Sequence, residues 1–295
     1  MELHQLRYLL AVAETGNFTR AAERAHVTQP SLSQQIINLE KELGHKLFHR
    51  LGRKAVPTEA GIAFLARAKR VLLELDDATR ELSDTPDLER HIFVGGIPTV
   101  VPYLFPQLID ECRQKFPHLV IHTRENFRNQ LVRSVLEGEL DLALVSQPVK
   151  DSRLSIEPVF TEPLLLVIGR DHPLASQATV TAKDLADQTF VLLGESSSVA
   201  MQIQRFCGDH DFEPRIGHRC AQISTVKTLV ATGLGISILP KVCRSREDNA
   251  ALVYKRLSGR EPEREVALIR HLQRYQSRGA EQFLGVLKES LLKQA

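Results

Sequence analysis

The stretch from Phe18 to Thr58, FTRAAERAHVTQPSLSQQIINLEKELGHKLFHRLGRKAVPT, constrains the fold more tightly than any other part of the chain. Ala21, Ala22 and Ala25 predict a short helix with a small apolar face, and Ile36, Leu39 and Leu43 a second helix with apolar positions every three to four residues. His26-Val27-Thr28 joins them at a tight angle. Thr28 suits the N-cap, where its hydroxyl takes an otherwise orphaned backbone N–H; Pro30 suits the first turn, where no N–H is needed; Gly44 ends the helix. The exposed start of this helix reads as Gln29, Ser31, Ser33 and Gln34, short donors and acceptors without charge, flanked by Thr28 and Pro30. Such side chains, presented first turn foremost, suit base edges in a major groove, while the helix N–H groups point at phosphate. Beyond them Lys46, Arg50, Arg53 and Lys54, with His45 and His49, lie in a segment broken by Gly52 and Pro57, which reads as a basic hairpin wing gripping the DNA backbone. A helical hairpin with a solvated basic loop has the same spacing, so spacing alone leaves packing open beside DNA binding.

The resemblance goes further. From Leu6 to Gly61, LRYLLAVAETGNFTRAAERAHVTQPSLSQQIINLEKELGHKLFHR and the T-x-x-G from Thr58 to Gly61 resemble, in order, the DNA-binding domain of the LysR-type bacterial transcription regulators. FVGGIPTVVPYLFPQL and LVATGLGISILP, at their spacing, resemble the family's effector-binding domain, particularly its peroxide-sensing branch.

A chain of 295 residues is long enough for two domains with separate cores. The formal net charge of +2 is too small for a nonspecific polyanion binder, so a nucleic-acid footprint must be local, and the basic residues from Lys41 to Lys54 provide one. MELHQLRYLLAV carries an early acid and no small-residue cleavage site, and no apolar run approaches the roughly 20 residues of a membrane span, so a cytoplasmic protein without membrane attachment is expected. Cys112, Cys207, Cys220 and Cys243 show no metal-ligand spacing and read as buried thiols, with no metal or other cofactor expected.

Ahead of the central stretch, Leu3, Leu6, Leu9, Leu10 and Ala13 predict an amphipathic supporting helix. Behind it, Thr58 should cap a helix of some 25 residues reaching about Ser83. Its apolar and small positions Leu65, Ala68, Leu72, Leu75, Thr79 and Leu82 alternate by three and four, the pattern of a two-helix seam, so Leu65, Leu72 and Leu75 are dimerisation candidates; packing within the chain is the alternative. The acidic, Pro-containing segment from Ser83 to Arg90 marks the domain boundary, and a βαβαβ pattern with a parallel sheet follows. A second α/β unit, two further strands and a C-terminal helix from Ala280 to Leu292 close the chain. The fold expected overall is α/β: a winged helix-turn-helix at 1–58, a linker and dimerisation helix with hinge at 59–90, and an effector-binding domain at 91–295 like a periplasmic binding protein. The resemblance implies that this last part has two subdomains, about 91–163 with 267–295 and about 164–266, joined by two crossing strands and closing on a small molecule.

In open α/β sheets, ligands sit outside the carboxyl ends of the strands. Pro98-Thr99, Asn126 with Arg128, Ser146-Gln147, Ser196 to Ser198, and Thr225 at a further helix start are the candidate effector residues. Hydroxyls and helix N–H groups suit a carboxylate or phosphate-like oxygen. The resemblance implies pocket positions at Thr99, Ser146 and the Ser197-Ser198 loop. Arg128 departs from the peroxide-sensing pattern, which has a small hydroxyl residue there: turned inward it would clamp an anion, turned outward it is a solvated charge. The redox cysteines depart as well. That branch has a reactive cysteine nine residues before a second one; Cys207 matches the second, while Ser198 stands at the first, and thiolate chemistry cannot start from a serine.

The function expected is a sequence-specific regulator, with double-stranded DNA (a pseudo-palindromic operator), a small effector, a second copy or tetramer of itself and RNA polymerase as partners. A thiol-based redox-responsive regulator is the alternative. An enzyme or a solute-binding protein on the same cleft comes behind, since no catalytic triad, paired-carboxylate motif, P-loop or dinucleotide fingerprint is found and Gly233-x-Gly235 lacks a third glycine.

Overall fold

The computed structural model describes residues 1–52, 54–83 and 90–294. It divides into two compact units, Met1–Thr85 and Pro86–Ala295.

In the first unit, α1 (Leu3–Thr15), α2 (Phe18–Arg24) and α3 (Gln29–Leu43) pack around Leu6, Leu9, Val12, Leu32, Ile36 and Leu39. Local chemistry sets the boundaries: Gly16 and Gly44 take the left-handed conformation that ends α1 and α3, the Asn17 side chain accepts from the N–H groups of Thr19 and Arg20, and Thr28 accepts from Ser31 N–H. The wing is a hairpin of β1 (Phe48–Leu51) and β2 (Lys54–Pro57). Its root is held by the buried Glu40, whose Oε1 accepts from Leu47 N (2.9 Å) and Phe48 N (3.3 Å), while Oε2 accepts from Lys46 Nζ (3.0 Å). Next, α4 (Glu59–Ser83) begins against that root. Thr58 Oγ1 donates to Lys46 O and accepts from Gly61 N, and a Cβ at Gly61 would stand 2.1 Å from the Leu47 carbonyl oxygen. Thr-x-x-Gly is thus the requirement of a helix that starts in contact with a strand's backbone.

In the second unit, β3 (Arg90–Gly96), α5 (Val101–Lys115), β4 (Leu119–Glu125), α6 (Arg128–Leu136) and β5 (Leu142–Ser146) form the expected βαβαβ, with β3 parallel to both β4 and β5. Here β6 (Leu154–Gly169) is a single 16-residue strand, where sequence periodicity marks only its apolar end. The remaining elements are α7 (Pro173–Ser176), β7 (Thr189–Leu193), α8 (Ser198–Gly208), β8 (Arg215–Cys220), α9 (Ile223–Ala231), β9 (Ser237–Pro240), β10 (Leu252–Lys255), β11 (Glu263–His271) and α10 (Arg278–Gln294). Through β6 one sheet becomes two: its first part pairs antiparallel with β11, which lies on β5, and its second part pairs with β9 and β10. Three cores result. One surrounds Ile92, Phe105, Leu131, Leu144 and Phe283; a second surrounds Leu166, Phe190, Leu192, Ile203 and Ile238; a third surrounds Val167, Val191, Val226 and Leu239. Each fully buried Leu, Ile or Phe contributes about 1.5 to 3 kcal/mol relative to exposure.

Two expectations shift. The helix that was to start at Thr225 starts at Ile223 with Gln222 as its N-cap, and residues 84–89 of the expected boundary segment lie outside the described residues.

Candidate functional site

On α3, Thr28, Pro30, Ser31 and Gln34 are exposed, Gln29 is half-buried, and Gln34 Nε2 donates to Asn38 Oδ1. Ser33 corrects the sequence reading. It is buried, and its hydroxyl accepts from Gln29 Nε2 at 2.8 Å, because it stands three residues before Ile36 and shares that inward face. Of the wing, Arg50 is exposed with its guanidinium 4.5 Å from the Phe18 ring centroid, a cation–π contact that fixes its direction; Lys54 is exposed; Arg53 lies outside the described residues. Gln5 Nε2 donates to Gln35 Oε1, tying α1 to α3.

Along α4, Ala68 is buried, and Leu65 and Leu72 already pack on the core of their own unit. Of the three leucines given to a dimer seam, Leu75 alone is exposed, at 38%, with Val71 exposed beside it. The alternative reading, packing within the chain, therefore describes the first half of the helix.

In the second unit the carboxyl end of β5 meets α8. Ser146, the last residue of β5, is fully buried. Its hydroxyl accepts from Gln202 Nε2 of α8 at 3.3 Å and its carbonyl from Arg128 Nη1 at 3.5 Å. Of the two orientations open for Arg128, the structure has the inward one. Ser197 and Ser198 are buried at the start of α8 without capping it, whereas Ser196 is exposed. Pro98 and Asn126 are half-buried, and Asn126 Oδ1 accepts from Phe127 N. Gln147 turns its own side chain onto Val149 N. Thr225, the third residue of α9, is exposed. Arg128 and Ser146 thus meet at the end of β5, joined there by Gln202 of α8, whose start holds the buried Ser197 and Ser198, while Thr225 is an ordinary helix-surface hydroxyl.

Thr99 is also buried, and for a reason that sequence reading misses. Arg264 of β11, the largest fully buried side chain described, donates from Nη1 to Thr99 Oγ1 (2.5 Å) and from Nη2 to Thr99 O (3.1 Å). Its Nε and Nη2 also hold Glu162 Oε1 of β6, at 2.9 and 2.7 Å, and Glu162 Oε2 accepts from Val242 N (2.7 Å). One ion pair therefore links both crossing strands, the loop after β3 and the segment after β9.

All four cysteines are free and buried. Burial pushes the Cys207 thiol up to about 12 and Cys112 up to about 11. Cys243 is likewise raised to about 12 by burial, against the nearby Arg264 charge. A cavity of about 900 Å³ opens elsewhere, between Phe160 of β6 and Leu284, Leu287 and Leu291 of α10. It touches none of the candidate effector residues.

A winged helix-turn-helix unit followed by an α/β unit with buried polar groups at strand ends defines a DNA-binding regulator with a ligand-binding domain. Residues 3–62 match the bacterial regulatory helix-turn-helix protein, lysR family, and residues 87–292 match the LysR substrate binding domain. The chain belongs to the LysR family and is a DNA-binding transcription regulator with an effector-binding domain, not an enzyme. It is 36% identical over 274 residues to a hydrogen peroxide-inducible genes activator of Pectobacterium carotovorum, covering 91% of this chain and 90% of that one. It is 31% identical over 294 residues to the Hca operon transcriptional activator HcaR of Escherichia coli, covering 99% and 98%. A full-length OxyR variant from Pseudomonas aeruginosa superposes with a TM-score of 0.75 at 30% identity, over 99% of this chain and 94% of that one.

Proposed function

We propose that the effector is a small organic anion held where β5 faces α8, and that peroxide is not the direct signal. The observation that carries this reading is Arg128. Its half-buried guanidinium lies against the Ser146 carbonyl and has no carboxylate partner among the described residues. A cation so placed attracts an anionic group with charge-assisted hydrogen bonds of about 1.5 to 3 kcal/mol each, and two or three of them offset much of the cost of association.

The peroxide-sensing reading rests on relatives named for hydrogen peroxide. Against it stand Ser198 at the reactive position and the buried Cys207, whose thiol stays protonated at neutral pH and so lacks the nucleophilic thiolate.

In this account the ligand binds one arrangement of the two subdomains, about 91–163 with 267–295 and about 164–266, more tightly than another, since equal affinity would shift nothing. The copies pair along the outer part of α4 through Leu75, which sets two α3 helices on successive turns of a pseudo-palindromic operator. Thr28, Gln29, Pro30, Ser31 and Gln34 face bases, and Arg50, Arg53 and Lys54 the backbone. Among the described residues no helix is long and apolar enough to cross a membrane, and the site of action is the cytoplasm, where the DNA is.

A thermal-shift screen of carboxylates against wild type and Arg128→Ala tests the effector reading, because a ligand that binds only the native state stabilises it by mass action. A carboxylate should raise the wild-type midpoint and leave the variant unmoved. Equal shifts in both proteins would remove Arg128 from the site.

A further inference from the structure

The hydrogen bond from Gln202 Nε2 to Ser146 Oγ joins α8 to the end of β5, across the seam between the cores to which they belong. The other end of the same amide, Gln202 Oε1, is buried and has no hydrogen-bond partner among the described residues. A buried acceptor left alone forgoes its bond to water without replacement, which is why such atoms are rare in native proteins and mark places where a partner is to be supplied. No neighbouring side chain supplies one: Ser146 is the group already bonded to Nε2, and Arg128 is turned to the Ser146 carbonyl. Arg128 and Gln202 thus bracket one residue, the guanidinium on its carbonyl and the amide on its hydroxyl.

We infer that Gln202 is a specificity-determining residue of the effector site, and that the effector it selects is a short carboxylate carrying a hydroxyl close to the carboxyl group. The inference rests on the reading of Arg128 as the anion's anchor. With the carboxylate on Arg128, the ligand hydroxyl donates to Gln202 Oε1 and satisfies a buried acceptor that has no partner among the described residues. The arrangement also works with the amide turned over. Ser146 Oγ is both donor and acceptor, so it can instead donate to Oε1, and Nε2 then donates to the ligand hydroxyl oxygen. Either way the amide reads the hydroxyl. A carboxylate without one keeps its attraction to Arg128 and leaves the amide unsatisfied, and discrimination by an unpaired buried polar group is the strong kind. Because α8 and β5 belong to different cores, filling the amide also ties the ligand to the relative setting of the two halves.

The test is titration calorimetry of the full-length protein with matched probes: acetate against glycolate, propionate against lactate, succinate against malate. Wild type should bind the hydroxylated member of at least one pair about tenfold or more tightly, the worth of one good hydrogen bond. Gln202→Met, of similar length and without the amide, should bring that ratio near one. If Gln202→Met melts early without ligand, Gln202→Asn, which withdraws the amide by one methylene, takes its place with the same expectation. A wild type indifferent to the hydroxyl, or a preference that survives in the variant, overturns the inference and leaves the anion reading standing. Failure of every probe to bind overturns both.

Discussion

Replacing either member of the Arg264–Glu162 pair should be among the most damaging single changes in the second unit. Glu162→Gln strands a guanidinium that is essentially inaccessible to water, and Arg264→Met strands a carboxylate whose only other partner among the described residues is Val242 N. Removing one partner of a buried pair costs about 3 to 5 kcal/mol because the remaining charge is uncompensated. For a domain of this size about 2 to 4 °C is lost per kcal/mol, so each single variant should melt roughly 6 to 20 °C lower. Arg264→Met also frees Thr99 Oγ1, which then loses its defined direction. The double variant Glu162→Met/Arg264→Met removes both charges and should be no worse than the milder single, with a coupling energy of about 2 kcal/mol or more in a double-mutant cycle. Circular-dichroism melts and urea curves of the four proteins measure this. Single costs under about 1 kcal/mol that simply add would refute the argument that the two buried charges compensate each other.

Three other outcomes follow from the geometry. Gln34→Ala should cost about 1 to 3 kcal/mol on operator DNA and little on scrambled DNA, whereas Lys54→Ala should weaken both alike and flatten the salt slope by about one unit; equal effects of Gln34→Ala on the two DNAs would remove it from base reading. Leu75→Asp should dissociate the dimer in sedimentation while the unliganded fold melts normally, and an unchanged oligomer would place the seam elsewhere; Leu72→Asp does not discriminate, because Leu72 also packs on its own unit. Native protein should resist iodoacetamide at Cys207 from pH 7 to 9, since the folded thiol is raised from 9.0 to about 12, and label fast once unfolded; rapid native labelling at pH 8 would mean a thiolate that burial forbids.

The first unit was legible in detail because its signals are local: Asn17, Thr28, Gly16 and Gly44 each cap within a few residues, and Thr-x-x-Gly marks the contact with the wing. The misreading of Ser33 came from residue type overriding period, for its spacing to Ile36 already assigned it inward. In the second unit the apolar strands were legible and the polar ones were not. Arg215 to Cys220 pairs as a strand with side chains mostly exposed, and the first half of β6 is half-buried, so neither shows the run or the alternation that periodicity detects. Of the candidate effector residues, Arg128 and Ser146 stand at helix and strand ends, where local signals are readable. Gln202 and Arg264 were not legible, because their meaning lies in partners 56 and 102 residues away.

The central claim, an anion-gated rather than a thiol-gated regulator, is tested most directly by footprinting the operator with wild-type protein under two additions. A carboxylate found to bind should change the pattern of protection, because it biases one arrangement of the effector domain, and hydrogen peroxide should leave the pattern as it was. A footprint that changes with peroxide in wild type, and no longer changes in Cys207→Ser, would contradict the account.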